Sequence, residues 1–304
     1  MPIFLTMFFG YLFRKKGIMD ASFVKTLNHF NFNITLPVLL FLDIYHADYR
    51  KVWDTKYVLF CFIVTFFCIC VICLFSYFFF KDKNSLGEFM QASYRGSAAV
   101  LGIAFIQNIY HSATIAPLMI IGTVPLYNIA AVIILSFTQP DKHGISWSAF
   151  KNSILDILKN PIIIAIFFGI TASLCNITFP VILEKTASNF AVLATPLALI
   201  GLGAGFEGKK ALEKMKPTFF STFIKLIIQP AIFLPFAAYL GFRDEKMVAI
   251  LIMLGAPSTV SCYIMAKNMD HSGTLSSSII VATTFFSSFT ITFWLYLLKS
   301  YGII

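Results

Sequence analysis

Apolar residues in this chain come in long unbroken runs, not in the alternation or the three-to-four spacing of a half-buried element. Runs of about 20 residues, each able to cross a hydrocarbon layer of roughly 30 Å as a helix, recur from one end to the other. Short segments with charge, Gly and Pro separate them. The pattern predicts ten helices, at about 2 to 14, 22 to 44, 56 to 80, 88 to 110, 113 to 137, 152 to 175, 180 to 205, 217 to 241, 246 to 268 and 272 to 298. They fill one membrane domain and leave no room for a second. At about 1.5 Å per residue the first is too short to span comfortably, which predicts a partial helix or a start that lacks part of its natural length.

Two stretches repeat. Pro2-Ile-Phe-Leu-Thr-Met-Phe-Phe-Gly10 returns as Pro161-Ile-Ile-Ile-Ala-Ile-Phe-Phe-Gly169, and Asn108-Ile-Tyr-His-Ser-Ala-Thr114 as Asn268-Met-Asp-His-Ser-Gly-Thr274, at offsets of 159 and 160. Agreement in offset at opposite ends of a unit argues for an internal duplication. The expected organisation is repeat one over 1–137, a cytoplasmic linker over 138–151 and repeat two over 152–304. With five helices in each, an odd number, the halves must run in opposite directions. Inverted repeats are characteristic of secondary carriers, whose substrate site lies near the midplane where interrupted helices meet.

Composition agrees. The 304 residues are 58% hydrophobic and 12% charged, against about a quarter charged in soluble domains, which excludes an ordinary soluble enzyme. The net charge of +9 sits in short interhelical loops, so it reports topology and not a nucleic-acid partner. With the amino terminus outside, inner loops hold fourteen Lys and Arg and outer segments seven, which predicts a multi-pass protein of the plasma membrane with both termini extracytoplasmic. The amino-terminal run is followed by Arg14-Lys15-Lys16, the reverse of a signal peptide. The six cysteines lie within apolar runs, where packing explains them better than disulfides or metal; Cys70 and Cys73 have no His or carboxylate beside them.

Candidate chemistry concentrates where polar, Gly and Pro residues interrupt helices, because backbone may break inside a membrane only where it lines a cavity or is covered by protein. Helix 4 carries Arg95, Ser97 and Gly102. Its repeat partner, helix 9, carries Pro257, Ser258, Thr259, Ser261 and Tyr263. Pro257 frees a carbonyl one turn back, and the hydroxyls beside it can recapture such groups or bind ligand. Close packing of small residues is the alternative, and for Gly102 alone the better one. Arg95 and Lys225 are the basic residues set well inside helices, hence candidates for binding; snorkelling to the cytoplasmic surface is the competing role. Asn128, with Pro125, interrupts helix 5, as a ligand contact or an interhelical hydrogen bond.

All fourteen acids fall in loops or close to predicted helix ends. A cation or proton antiporter needs a carboxylate at depth, so the midplane composition points to a neutral or anionic solute. A carboxylate could be received by positive helix N-termini with Arg95 or Lys225. The chain has no paired His on a helix face, no phosphate-binding Gly-rich loop with Lys and no acidic pair for magnesium, so neither enzyme activity nor a cofactor or metal is expected.

The residues also resemble the auxin efflux carrier family, which includes plant auxin exporters and bacterial carriers described as malonate or malate transporters. The resemblance covers nearly the whole chain: Gly10-Tyr-Leu-Phe-Arg-Lys-Lys-Gly17, Leu36-Pro37, Arg95-Gly-Ser97, Pro125-Leu-Tyr-Asn128, Asn160-Pro161, Lys225 with Gln229-Pro230, and Ala256-Pro257-Ser258 running to Ala266-Lys267. It implies a scaffold of helices 1, 2, 6 and 7, a transport unit of helices 3 to 5 and 8 to 10, a crossover of broken helices 4 and 9, and room for a homodimer through the scaffold. The chain departs from the family in helix 4, with Ser97-Ala98 for the usual Ser-Asn and Gly102-Ile-Ala104 for Gly-x-Pro.

The resulting expectation is an all-α integral membrane protein of ten helices in two inverted repeats, with helices 4 and 9 crossing. Its function would be alternating-access transport of a small organic anion, a carboxylate foremost, with lipid as its other partner. A sodium-coupled symporter of the bile acid carrier type and a polytopic ligand sensor that moves nothing are the alternatives.

Overall fold

The computed structural model describes residues 2–46, 53–80, 82–98, 106–110, 115–139 and 157–304, and among these every regular element is a helix. The order is α1 (Pro2–Lys15), α2 (Ala21–Phe30), α3 (Leu36–Tyr45), α4 (Thr55–Phe79), α5 (Leu86–Tyr94), α6 (Ala116–Phe137), α7 (Pro161–Leu174), α8 (Val181–Ala204), α9 (Gly208–Glu213), α10 (Met215–Phe223), α11 (Gln229–Tyr239), α12 (Asp244–Gly255), α13 (Ser261–Asn268) and α14 (Thr274–Ser300). One π-helical turn, Asn31–Thr35, joins α2 to α3, and another, Ile224–Ile228, joins α10 to α11. Five helical stretches are long and apolar enough to cross a membrane: Thr55–Phe79, Ala116–Phe137, Val181–Ala204, Met215–Tyr239 and Thr274–Ser300.

Local chemistry sets several starts. The Asp20 carboxylate accepts from the Phe23 amide at 2.7 Å and opens α2, Asp54 accepts from Tyr57 at 3.1 Å and opens α4, and Asn160 accepts from Ile162 at 2.9 Å just before Pro161. Each side-chain oxygen takes up one of the orphan amides of a first turn. The Asn160 cap opens the helix described over Pro161–Leu174, after a short helical stretch at 157–158; the predicted start of helix 6 at 152 lies outside the described residues. The short helix α9 was not predicted, because its Lys-rich segment has no apolar run to mark it.

Surface and core are arranged for lipid. Phe66, Phe67, Leu74 and Phe78 on α4 face outward, where hydrocarbon takes the place of water. α12 is the reverse, buried at every residue from Met247 to Gly255, and sits at the centre of the molecule against α6, α11 and α14.

Glycines allow the closest crossings. α1 packs along α8, and α7 packs along α3. A Cβ on Gly10 would lie 2.4 Å from the Ile200 carbonyl oxygen, and one on Gly169 would lie 3.1 Å from the Phe41 carbonyl oxygen. At Gly203 the added atom would be 1.9 Å from the Met7 carbonyl oxygen. Helices approach backbone to backbone at these points, which only a residue without Cβ permits.

Candidate functional site

The two helices expected to be interrupted, 4 and 9, are broken at their middles. α5 ends at Tyr94, residues 95–97 are non-helical, and helix resumes at Ala98; α12 ends at Gly255, residues 256–260 leave the helix, and α13 starts at Ser261. The breaks touch: the Ser97 amide donates to the Pro257 carbonyl at 2.9 Å. Helix 4 thus breaks without the proline that the family usually carries there.

Broken helices leave orphan carbonyls, which are costly away from water. Those at the end of α5 are satisfied one by one from other elements. Ser258 Oγ donates to Ala92 O at 2.7 Å, Gln229 Nε2 to Ser93 O at 2.7 Å, and Lys225 Nζ to Tyr94 O at 2.9 Å. Lys225 also donates to Met253 O at 3.3 Å, near the end of α12. A single ammonium therefore sits at the negative ends of two helix dipoles. Sequence reading offered Lys225 as a substrate contact or a snorkelling residue. It is wholly buried, and it is not among the residues that line the cavity described next.

Arg95 sits on the other side of the crossover, 1% exposed, in the wall of a small cavity of about 70 Å³. Nη1 donates to Gln91 Oε1 at 3.2 Å and to Met265 Sδ at 2.9 Å; Nη2 donates to Asn128 Oδ1 at 2.7 Å and to Ser261 Oγ at 2.9 Å. The guanidinium carbon lies 5.5 Å from the centre of the Tyr127 ring, a cation–π arrangement. Its Nε is buried without a partner. Every one of these contacts is to a neutral group, and among the described residues Arg95 forms no ion pair. Asn128 is held in place by its own amide, which donates to Val124 O at 2.8 Å.

Of the ten candidate residues, the structure brings Arg95, Ser97, Asn128, Thr259 and Ser261 to this cavity. The positive N-terminal end of α13 begins there too, at Ser261. Pro257 and Ser258 stand behind the wall as parts of the crossover, with the Ser258 amide on Thr283 Oγ1 at 3.1 Å. Tyr263 faces the opposite way and bonds Gly201 O at 3.3 Å. Gly102 lies outside the described residues. Reading along the chain missed Asn31, Asp43, Tyr127 and Thr195, which complete the polar lining. Asp43 lies in the last turn of α3, which ends at Tyr45, close to a helix end as expected for the acids, and from there it still lines the cavity. Its place in an apolar run was the available signal, since ionisable residues within such runs are rare.

A second, larger cavity of about 880 Å³ opens on the face formed by the ends of α1, α2, α8 and α13. Tyr263, Asn28 and Gly205 line it, and α13 separates it from the inner cavity. Arg14, Lys25 and Lys267 outnumber Glu207 and Asp270 on its walls. A hydrogen bond from Lys210 holds the Glu207 carboxyl below its usual range, so the acid side of this mouth is already engaged with a cation. The surplus of basic groups favours entry of anions.

An arginine buried in the wall of a small cavity, where two interrupted helices meet, suits a membrane transporter, and comparison with known proteins agrees. This chain belongs to the membrane transport protein family. The family is auxin efflux carrier-like, and its model matches residues 1–295. Over 289 residues, 92% of this chain and 91% of the relative, the sequence is 22% identical to the uncharacterized transporter YfdV of Escherichia coli (strain K12). The proteins of that name from Escherichia coli O157:H7 and Shigella flexneri match to the same extent. Membership makes the chain a membrane-embedded transporter and not an enzyme.

Proposed function

We infer that this family member carries a small organic anion, a carboxylate foremost, across the plasma membrane by alternating access. The observation that carries the reading is Arg95: a cation buried in a cavity, bonded to neutral groups only and with Nε unsatisfied. No acid pairs directly with the guanidinium among the described residues, which leaves its charge available to an anionic solute. The α13 N-terminus and the hydroxyls of Thr259 and Ser261 provide further donors for carboxylate oxygens.

The architecture proposed around this site is ten helices in two inverted repeats, 1–137 and 152–304, joined by a linker over 138–151. Packing supports it beyond the sequence matches. The Gly10–Ile200 and Gly169–Phe41 crossings exchange partners between halves at one offset, 159, so equivalent residues make equivalent close contacts. Ser97 and Pro257, 160 apart, bond to each other at the crossover, as residues beside a pseudo-two-fold axis would. Opposite orientation has a direct test in a membrane-impermeant maleimide. Cys175, exposed after α7, is expected to react from outside intact cells, and a Lys16→Cys variant in a Cys175→Ser background only after the membrane is opened. Reaction of both from one side would end the inverted arrangement.

Transport itself is tested by counterflow in proteoliposomes loaded with glycerate, pyruvate, malonate or malate. At least one unlabelled acid inside is expected to drive transient accumulation of its labelled form. Binding of these acids without counterflow would favour a ligand sensor; exchange that vanishes when sodium is replaced would favour a sodium-coupled symporter.

A further inference from the structure

The cavity that holds Arg95 also holds Asp43, from α3, beyond an apolar wall of Leu36, Leu39 and Leu40. The other deeply buried acid, Glu88, is fully occupied: its oxygens accept from Ser272 Oγ, the Gly273 amide and the Ser276 amide, each at 2.8 Å. Those bonds cap the first turn of α14 and fix Glu88 in a structural role. Asp43 has no such engagement. Among the described residues no hydrogen bond or ion pair reaches its carboxylate, although it is only partly exposed.

Charge counting in this cavity then has a functional consequence. Empty, it contains one guanidinium and one carboxylate and is neutral. A monoanion entering would leave one negative charge in excess inside about 70 Å³ of low-dielectric space. Two carboxylates cannot both remain ionised at close quarters there, and the arrangement that restores balance has one of them protonated. The substrate carboxylate has Arg95 and the α13 N-terminus to stabilise its charge, whereas Asp43 has neither, so the proton goes to Asp43. Resting on the anion-carrier reading above, we propose that Asp43 is the coupling group of this carrier, taking up one proton when a carboxylate binds and releasing it when the carboxylate leaves. Anion and proton then cross together, bound to separate groups, with no bond made or broken in the substrate.

The surroundings allow the proton a way in. His46 follows one turn later on α3, half exposed, with Nε2 2.5 Å from Glu184 Oε1 of α8. Tyr127 of α6 and Arg95 complete the ionisable groups facing Asp43 from other elements. α7, packed along α3, carries no charged residue at all. The path from the surface to Asp43 is thus the His46 end of α3, away from the basic vestibule through which the anion enters.

The test uses whichever of glycerate, pyruvate, malonate and malate gives counterflow; if none does, the carrier reading fails and this inference with it. Given counterflow, an inward proton gradient of one pH unit, with the membrane potential clamped at zero, is expected to drive accumulation of the acid approaching tenfold in wild-type proteoliposomes, beyond that in protein-free vesicles. Asp43→Asn should lose the gradient-driven accumulation relative to its own counterflow rate, whatever that rate is, and Asp43→Glu should regain it. Counterflow that is indifferent to the gradient in wild type, or an Asp43→Asn carrier still driven by it, would overturn Asp43 as the coupling group while leaving the carrier reading intact. Should Asp43→Asn not insert, the wild type answers alone. Adding the same acid to solubilised carrier in weak buffer with a pH dye should raise the pH as protons are taken up; no change would equally overturn the proposal.

Discussion

Arg95→Ala is expected to lower uptake at limiting substrate by about 100-fold, because a charge-assisted contact in a dry site is worth about 3 kcal/mol. The amount of folded carrier should change far less. Arg95 makes its hydrogen bonds to Gln91, Met265, Asn128 and Ser261, all neutral, and removing it leaves those groups in a cavity that water can fill. Arg95→Lys retains the charge and loses the fork whose Nη1 bonds Gln91 and Met265 and whose Nη2 bonds Asn128 and Ser261, so it should recover only part of the activity. The measurement is labelled-acid counterflow normalised to inserted protein, with size-exclusion profiles as the control for folding. Uptake near the wild-type level in a well-inserted Arg95→Ala carrier would remove the basis for an anion site.

Lys225→Met is expected to do the opposite, destabilising the fold by about 2 kcal/mol while leaving the apparent substrate affinity of the surviving protein unchanged. The ammonium joins Tyr94 O to Met253 O across the crossover. Without it two buried carbonyls at helix C-termini lose their donor, a loss of about 1–3 kcal/mol each that the membrane-embedded unfolded state partly offsets. Thermal denaturation in detergent should show the lower transition, and the concentration dependence of counterflow should be unmoved. A Lys225→Met protein as stable as wild type but unable to bind would return Lys225 to the substrate site. The two buried cations are therefore separable by experiment, one in the cavity wall and the other joining the two helix ends at the break.

Both were visible in the sequence as charges inside apolar runs, with binding offered as the role of each; the neighbours that hold them were not visible. A charge at depth says that something pays for its burial; which partner does so depends on elements far apart in the chain. Lys225 answers to Tyr94 and Met253, and Arg95 to Asn128 and Ser261. Asp43 shows the same limit from the other direction. Counted along the chain it stood one residue from a predicted helix end, and only the packing of α3 against α7 and α8 brings it into the wall of the cavity that Arg95 also lines.

By itself the sequence determined the solvent and the plan. Runs of twenty apolar residues have no stable place in water and must satisfy their own backbone in lipid, which makes the chain helical. The matched segments ending at Gly10 and Gly169 are the signal in it for a plan used twice. Tertiary structure alone decided the chemistry at the centre. Whether a broken helix is stable, which carbonyl finds a donor and which charge is left facing an empty space are sums over contacts between distant segments, and no local pattern contains them.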